Sequence, residues 1–114
     1  MTRRTFGVVV LALAVAAAAR ATTLVTAPMP IGAQECWLLN LGKKPITVTF
    51  QIASNDGVDA EDPNEVIAPG QSLEIGASDG RVSWCTFSGS FSKKNVRAVG
   101  TVGNPVGLAS FPAN

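Results

Sequence analysis

Between residues 46 and 52 apolar and polar side chains alternate without a break, as Ile46-Thr47-Val48-Thr49-Phe50-Gln51-Ile52. Successive side chains of a strand point to opposite faces, so this run predicts a strand with one face in a core and the other in water. Its β-branched content suits such a half-buried surface. Upstream, Cys36-Trp37-Leu38-Leu39-Asn40 is a short apolar run, and Leu41-Gly42-Lys43-Lys44-Pro45 supplies the Gly and Pro of a turn. The two runs are therefore expected to pair as an antiparallel hairpin. Ser54-Asn55-Asp56-Gly57 is a turn, and Asp59-Ala60-Glu61-Asp62-Pro63-Asn64-Glu65 is too acidic to bury, which predicts an exposed loop.

Val66-Ile67-Ala68 leads into Pro69-Gly70, the residue pair that fits the central positions of a type II turn, and Ser72-Leu73-Glu74-Ile75 alternates again. A second hairpin is expected there. Beyond Asp79-Gly80 come Arg81-Val82-Ser83-Trp84-Cys85-Thr86-Phe87 and, after a polar loop, Val96-Arg97-Ala98-Val99-Gly100-Thr101-Val102. No stretch beyond residue 21 sustains a helical period with caps, and turn signals recur at the spacing of sandwiches. The fold expected is all-β: a two-layer antiparallel sandwich of about six or seven strands. Its inward residues include Ile46, Val48, Phe50, Ile52, Val66, Leu73, Ile75 and Phe87. The domain runs over 22–102. Residues 22–33 either add an edge strand or stay loose, and 103–114, with two prolines and two glycines, are expected to form a mobile C-terminal tail.

The chain's beginning has a different character. Arg3 and Arg4 precede an apolar run of 14 residues, Phe6 to Ala19, and the triplet Ala19-Arg20-Ala21 has the small-x-small form of a cleavage site. Residues 1–21 are thus expected to be a cleavable signal peptide, the run being shorter than the roughly 20 residues that span a bilayer. Thr2-Arg3-Arg4-Thr5-Phe6 partly matches a twin-arginine export motif, and general secretion is the expectation over that route. The product is secreted or periplasmic, with no membrane attachment after cleavage. The leader carries three of the nine basic residues and none of the eight acidic ones. The chain beyond residue 21 has six basic against eight acidic residues, a net −2 that carries no nucleic-acid footprint.

An exported chain this short buries only about 60–65% of its unfolded surface, so a covalent staple helps. Cys36 and Cys85 supply one, since an oxidising compartment favours a disulfide. Neither a C-x-x-C pair nor any histidine is present, so redox and transition-metal chemistry are not expected. Asp56, Asp59, Glu61, Asp62 and Glu65 are a weak candidate for Ca²⁺, because their spacing fits no EF-hand and Pro63 limits how the segment wraps. Catalysis is not expected either. Histidine is missing, the carboxylates crowd into one segment, and Ser92 beside Lys93 and Lys94 lies in a loop that does not hold a nucleophile and base in register. No cofactor is implied.

The pattern Cys36-x-Leu38-x-Asn40, the alternating strand, Ala68-Pro69-Gly70-Gln71, Cys85-x-Phe87 and Val96-Arg97-Ala98 resembles small exported bacterial proteins with an immunoglobulin-like sandwich and no assigned activity. The resemblance implies a fold and carries no catalytic residue. It departs from true immunoglobulin domains in having no tyrosine for a tyrosine corner and no Trp at strand-C spacing after Cys36.

The function expected is that of a non-catalytic extracytoplasmic binding or adhesion module, with an exported protein or a glycan as its partner. The alternative is a structural or inhibitory partner of another exported protein, presenting Gly89-Ser90-Phe91-Ser92-Lys93-Lys94 with Phe91 as anchor. Trp37 and Trp84 are the candidate binding surface. Trp37 follows Cys36 while Trp84 precedes Cys85, so on adjacent antiparallel strands they would lie opposite each other, on the face away from the disulfide. That face is either exposed or core. A disulfide joining two sheets would instead leave both tryptophans outward and apart. Core or partly covered tryptophans are the expectation, since large exposed aromatic patches are uncommon on soluble monomers.

Overall fold

The computed structural model describes residues 21–77, 80–104 and 107–114. The expected signal segment, apart from Ala21, and Asp79 of the expected turn lie outside the described residues. Among the described residues eight strands succeed one another: β1 (Thr22–Val25), β2 (Ala33–Asn40), β3 (Ile46–Ser54), β4 (Gly57–Ile67), β5 (Ser72–Ala77), β6 (Trp84–Gly89), β7 (Val96–Asn104) and β8 (Gly107–Pro112). They form two antiparallel sheets of four strands, ordered β1-β6-β3-β4 and β5-β2-β7-β8. Among the described residues the helical content is a single 3₁₀ turn at Lys93–Asn95, where the Ser92 hydroxyl accepts from the Lys94 N–H at 3.4 Å.

The alternation that predicts β3 has the expected outcome: Ile46, Val48, Phe50 and Ile52 are buried, with Thr47, Thr49 and Gln51 on the outer face. Phe50 and Phe87, opposite each other on β3 and β6, meet edge to face at 5.5 Å between ring centroids. From the other sheet come Leu38, Ile75, Ala98 and Val102, and Met29 closes the core from the β1–β2 connection. Two expected inward residues differ. Val66 is 64% exposed because Ile67 pairs with the buried Ile46, and neighbours on a strand cannot both point inward. Leu73 is 38% exposed because β5 is the edge of its sheet.

Neither expected hairpin forms. β2 and β3 lie in different sheets, as do β4 and β5, so both connections cross from one layer to the other. Asn40 is the physical reason. Fully buried, it donates from Nδ2 to the carbonyls of Lys44 (2.8 Å) and Ile67 (3.0 Å) and accepts the Gly42 N–H on Oδ1 at 2.9 Å. Its main chain bonds to Gln71 O (2.9 Å) and accepts from Gly70 N (2.8 Å), so one residue pins both crossings. The type II turn at Ala68–Gln71 does form, with Gly70 at φ 77° and Gln71 N donating to Ala68 O at 3.1 Å.

The acidic segment 59–65 is not a loop but part of β4, the outer strand of its sheet. An edge strand can carry charges in water while its backbone still pairs on one side, and charge, proline and bulges keep such an edge from pairing with other chains. β4 has all three: its carboxylates, Pro63, and a register shift against Val48 and Phe50. The C-terminal segment likewise differs from the expected mobile tail, since 107–112 form β8 against β7 and Phe111 packs on the core. The chain end then reaches the other sheet. Asn114 exchanges backbone hydrogen bonds with Val25 at 3.0 and 3.1 Å, and Ala113 N donates to Ala98 O at 3.1 Å. Residues 22–25 take the edge-strand alternative, and this side of the sandwich is laced shut.

Cys36 on β2 and Cys85 on β6 form the disulfide, joining the two sheets with their Cα atoms 5.7 Å apart. Gly100, opposite Cys36 on β7, leaves the room it needs. A Cβ there would lie 2.5 Å from Met29 Sδ and 3.0 Å from Cys85 Sγ.

Candidate functional site

Because both cysteines point inward from separate sheets, alternation turns Trp37 and Trp84 outward on opposite faces of the molecule. They do not face each other, and neither is in the core; both are half-buried, and the arrangement is that of a disulfide joining two sheets. Trp37 lies opposite Glu74 on β5 and Val99 on β7, whereas Trp84 lies opposite Ala53 on β3.

The surroundings of the two indoles are unequal. Trp37 stands on a strand paired on both sides, in the floor of a mainly apolar depression of ≈ 350 Å³ that Leu39, Val99 and Thr101 also line. Glu35 and Arg97 mark its two ends. Glu35, Trp37 and Leu39 are alternate residues of β2, and Leu39 pairs with Arg97, so a carboxylate and a guanidinium are separated by an indole and two aliphatic side chains. The span from 35 to 39 is about 13 Å of strand. Burial, a side-chain hydrogen bond with Glu74 and that neighbour's negative charge together raise the pKa of Glu35 above the ordinary carboxylate value. At Trp84 the companions are Ala53 and, one strand further, the exposed Val58, at one end of the other sheet.

The five carboxylates considered for Ca²⁺ are not brought together. Asp56 and Asp59 both pair with Arg81, at 3.4 and 3.2 Å, and Glu61 accepts from Gln51 Nε2, while Asp62 and Glu65 lie farther along β4 opposite Phe50 and Val48. Asp59 Oδ2 is buried without a hydrogen-bond partner, its other oxygen taking the guanidinium. Among the described residues no group of three acidic or sulfur ligands is placed to hold a metal ion. Phe91, the anchor of the alternative reading, is partly buried against the core, with its carbonyl accepting the Thr22 hydroxyl at 2.6 Å. Ser92 caps the 3₁₀ turn that carries Lys93 and Lys94.

Glu35, two residues before Trp37 on β2, shares its face by alternation, whereas Glu74, Arg97 and Val99 join Trp37 only through pairing. They come from the strands on either side, β5 and β7, and a hairpin between β2 and β3 would give Trp37 other neighbours. The alternation Arg97-x-Val99-x-Thr101 marks them as one face of β7, but it does not say which strand lies alongside.

A scan against protein-family models matches none, and a search of curated protein sequences finds no match. Among solved structures, the crystal structure of Thermotoga maritima 1070 is similar over 81% of this chain and 91% of that one, with a TM-score of 0.53 and 13% sequence identity. At that identity the likeness is one of fold alone.

Proposed function

We propose that this protein is an exported, non-catalytic binding module of immunoglobulin-like type that takes a glycan or a segment of another exported protein on the outer face centred on Trp37. The observation that carries this reading is the depression itself. An aromatic platform and aliphatic walls sit on two fully paired strands, with the Arg97 cation at one end and the Glu35 carboxyl group at the other. Indole and aliphatic surface supply non-directional affinity, and the charged ends orient a ligand. Central strands of a disulfide-linked sandwich hold such a surface rigid, which lowers the entropy lost on binding.

Export rests on the signal-like segment 1–21 and agrees with the disulfide. A non-catalytic role agrees with the lack of histidine and with the use of Ser92 as a helix cap.

The test is a pull-down from the exported proteins and wall material of the protein's own source, with the wild type and Trp37→Ala as baits. Retention of a glycan or an exported protein by the wild type and its loss in Trp37→Ala is the expected result. A single stoichiometric protein partner that Trp37→Ala still holds would replace this reading with that of a structural or inhibitory partner using another surface.

A further inference from the structure

Lys43, Lys44, Lys93 and Lys94 are four of the six cationic side chains beyond residue 21, and the fold gathers them at one end of the sandwich. Two connections meet there, 41–45 after β2 and 90–95 after β6. Between them lies a depression of ≈ 560 Å³ whose lining includes Lys43, Lys44, Ser90, Phe91, Ser92 and Asn95. A neighbouring one of ≈ 580 Å³ shares Ser90, Phe91 and Ser92 and adds Lys93 and Lys94. No carboxylate lines either. All four lysines are exposed, and among the described residues both ion pairs belong to Arg81, at the far end of β3. A domain of net −2 thus carries a concentrated, unneutralised positive end.

The backbone that bears these lysines is fixed in advance. Leu41 N donates to Asn95 O at 2.8 Å, which ties the two connections together. Asn40 holds the first through Gly42 and Lys44, and Ser92 O accepts from Asn95 N at 2.9 Å in the second. Solubility needs charge spread anywhere on the surface; a groove with like charges on both walls and fixed loops is matched to an anion instead.

We propose that this end of the sandwich is a second binding site, and that its ligand is an anionic carbohydrate chain. The lysines meet the carboxylate or sulfate groups, the hydroxyls of Ser90 and Ser92 and the amide of Asn95 meet sugar hydroxyls, and the partly exposed Phe91 ring offers a stacking edge. A membrane surface is the poorer match. Docking on lipid needs an apolar face that enters the headgroup layer, and of the large exposed hydrophobic residues among the described ones Leu41 alone lines these depressions, on a concave surface beside the lysines.

The experiment is binding of the purified protein to heparin and to polygalacturonate, with neutral dextran and vesicles of anionic phospholipid as further probes, at several salt concentrations. Expected are binding to both acidic polymers that weakens with salt, none to dextran, and vesicle binding that is absent or displaced by the polymers. Lys43→Gln/Lys44→Gln and Lys93→Gln/Lys94→Gln should each weaken polymer binding at low salt by about tenfold or more. Arg81→Gln should leave it unchanged, since Arg81 lies with Asp56 and Asp59 at the far end of β3. No binding to either acidic polymer at low salt, wild-type binding by both double variants, or vesicle binding that the polymers do not displace would overturn the proposal.

Discussion

At the scale of single residues, Gly100 shows why a strand can need a glycine. The inward position opposite Cys36 is taken up by the disulfide and by Met29, and an added methyl would sit at 2.5 Å from Met29 Sδ. Gly100→Ala should destabilise the domain by about 1–3 kcal/mol, the ordinary cost of overpacking, measured as a lower midpoint in chemical denaturation. Stability equal to the wild type would mean that the methionine side chain moves aside without loss. Glu35 gives a prediction of opposite sign. Its pKa is raised in the folded protein by burial and by Glu74, so between the ordinary and the raised value the folded state holds more proton than the unfolded one. That contribution favours folding at low pH and is lost as pH rises through the raised value. Glu35→Gln should therefore stabilise the domain at pH 7 relative to the wild type, with the difference shrinking toward pH 4. A difference that grows toward low pH would contradict the carboxylate pair.

At the scale of elements, the local signals and the pairing have different legibility. β3, the type II turn at 68–71 and the faces of β6 and β7 can be read from alternation and from Pro-Gly, because those patterns act within a few residues. Which strands lie side by side cannot. The 41–45 connection has the composition of a hairpin turn, yet it crosses layers because Asn40, buried at its start, bonds into both crossings. β4 is hidden for another reason: a charged edge strand has the composition of a loop, since only one side of its backbone and few of its side chains need burial. The Trp37 face inherits this limit. Trp37 can be singled out by sequence and alternation puts Glu35 on its face, but Glu74, Arg97 and Val99 join it through the pairing of three strands. Asn40→Ala leaves the carbonyls of Ile67 and Lys44 short of a donor and should cost about 2–3 kcal/mol in stability. Thermal denaturation checks it, and a loss below about 0.5 kcal/mol, the scale of an ordinary surface substitution, would show that the crossings hold without Asn40.

At the scale of the whole molecule, two sheets of four strands are joined by one covalent bond through the middle and by the chain end along one side. With a separation of 49 residues, the disulfide should contribute about 4 kcal/mol through the entropy of the unfolded chain. Cys36→Ala/Cys85→Ala should lower the denaturation midpoint accordingly while the far-ultraviolet circular dichroism stays that of a β protein. An unchanged midpoint would contradict that contribution. The same bond fixes the outward, opposite placement of the two indoles, on which the functional reading depends. Its most direct test is the intrinsic fluorescence of two single-tryptophan variants, Trp84→Phe and Trp37→Phe, titrated with the material the wild-type protein retains from its exported fraction. The account predicts a saturable change in Trp84→Phe, where Trp37 reports, and little change with weakened binding in Trp37→Phe. A response carried by Trp84 with full affinity in Trp37→Phe would contradict it.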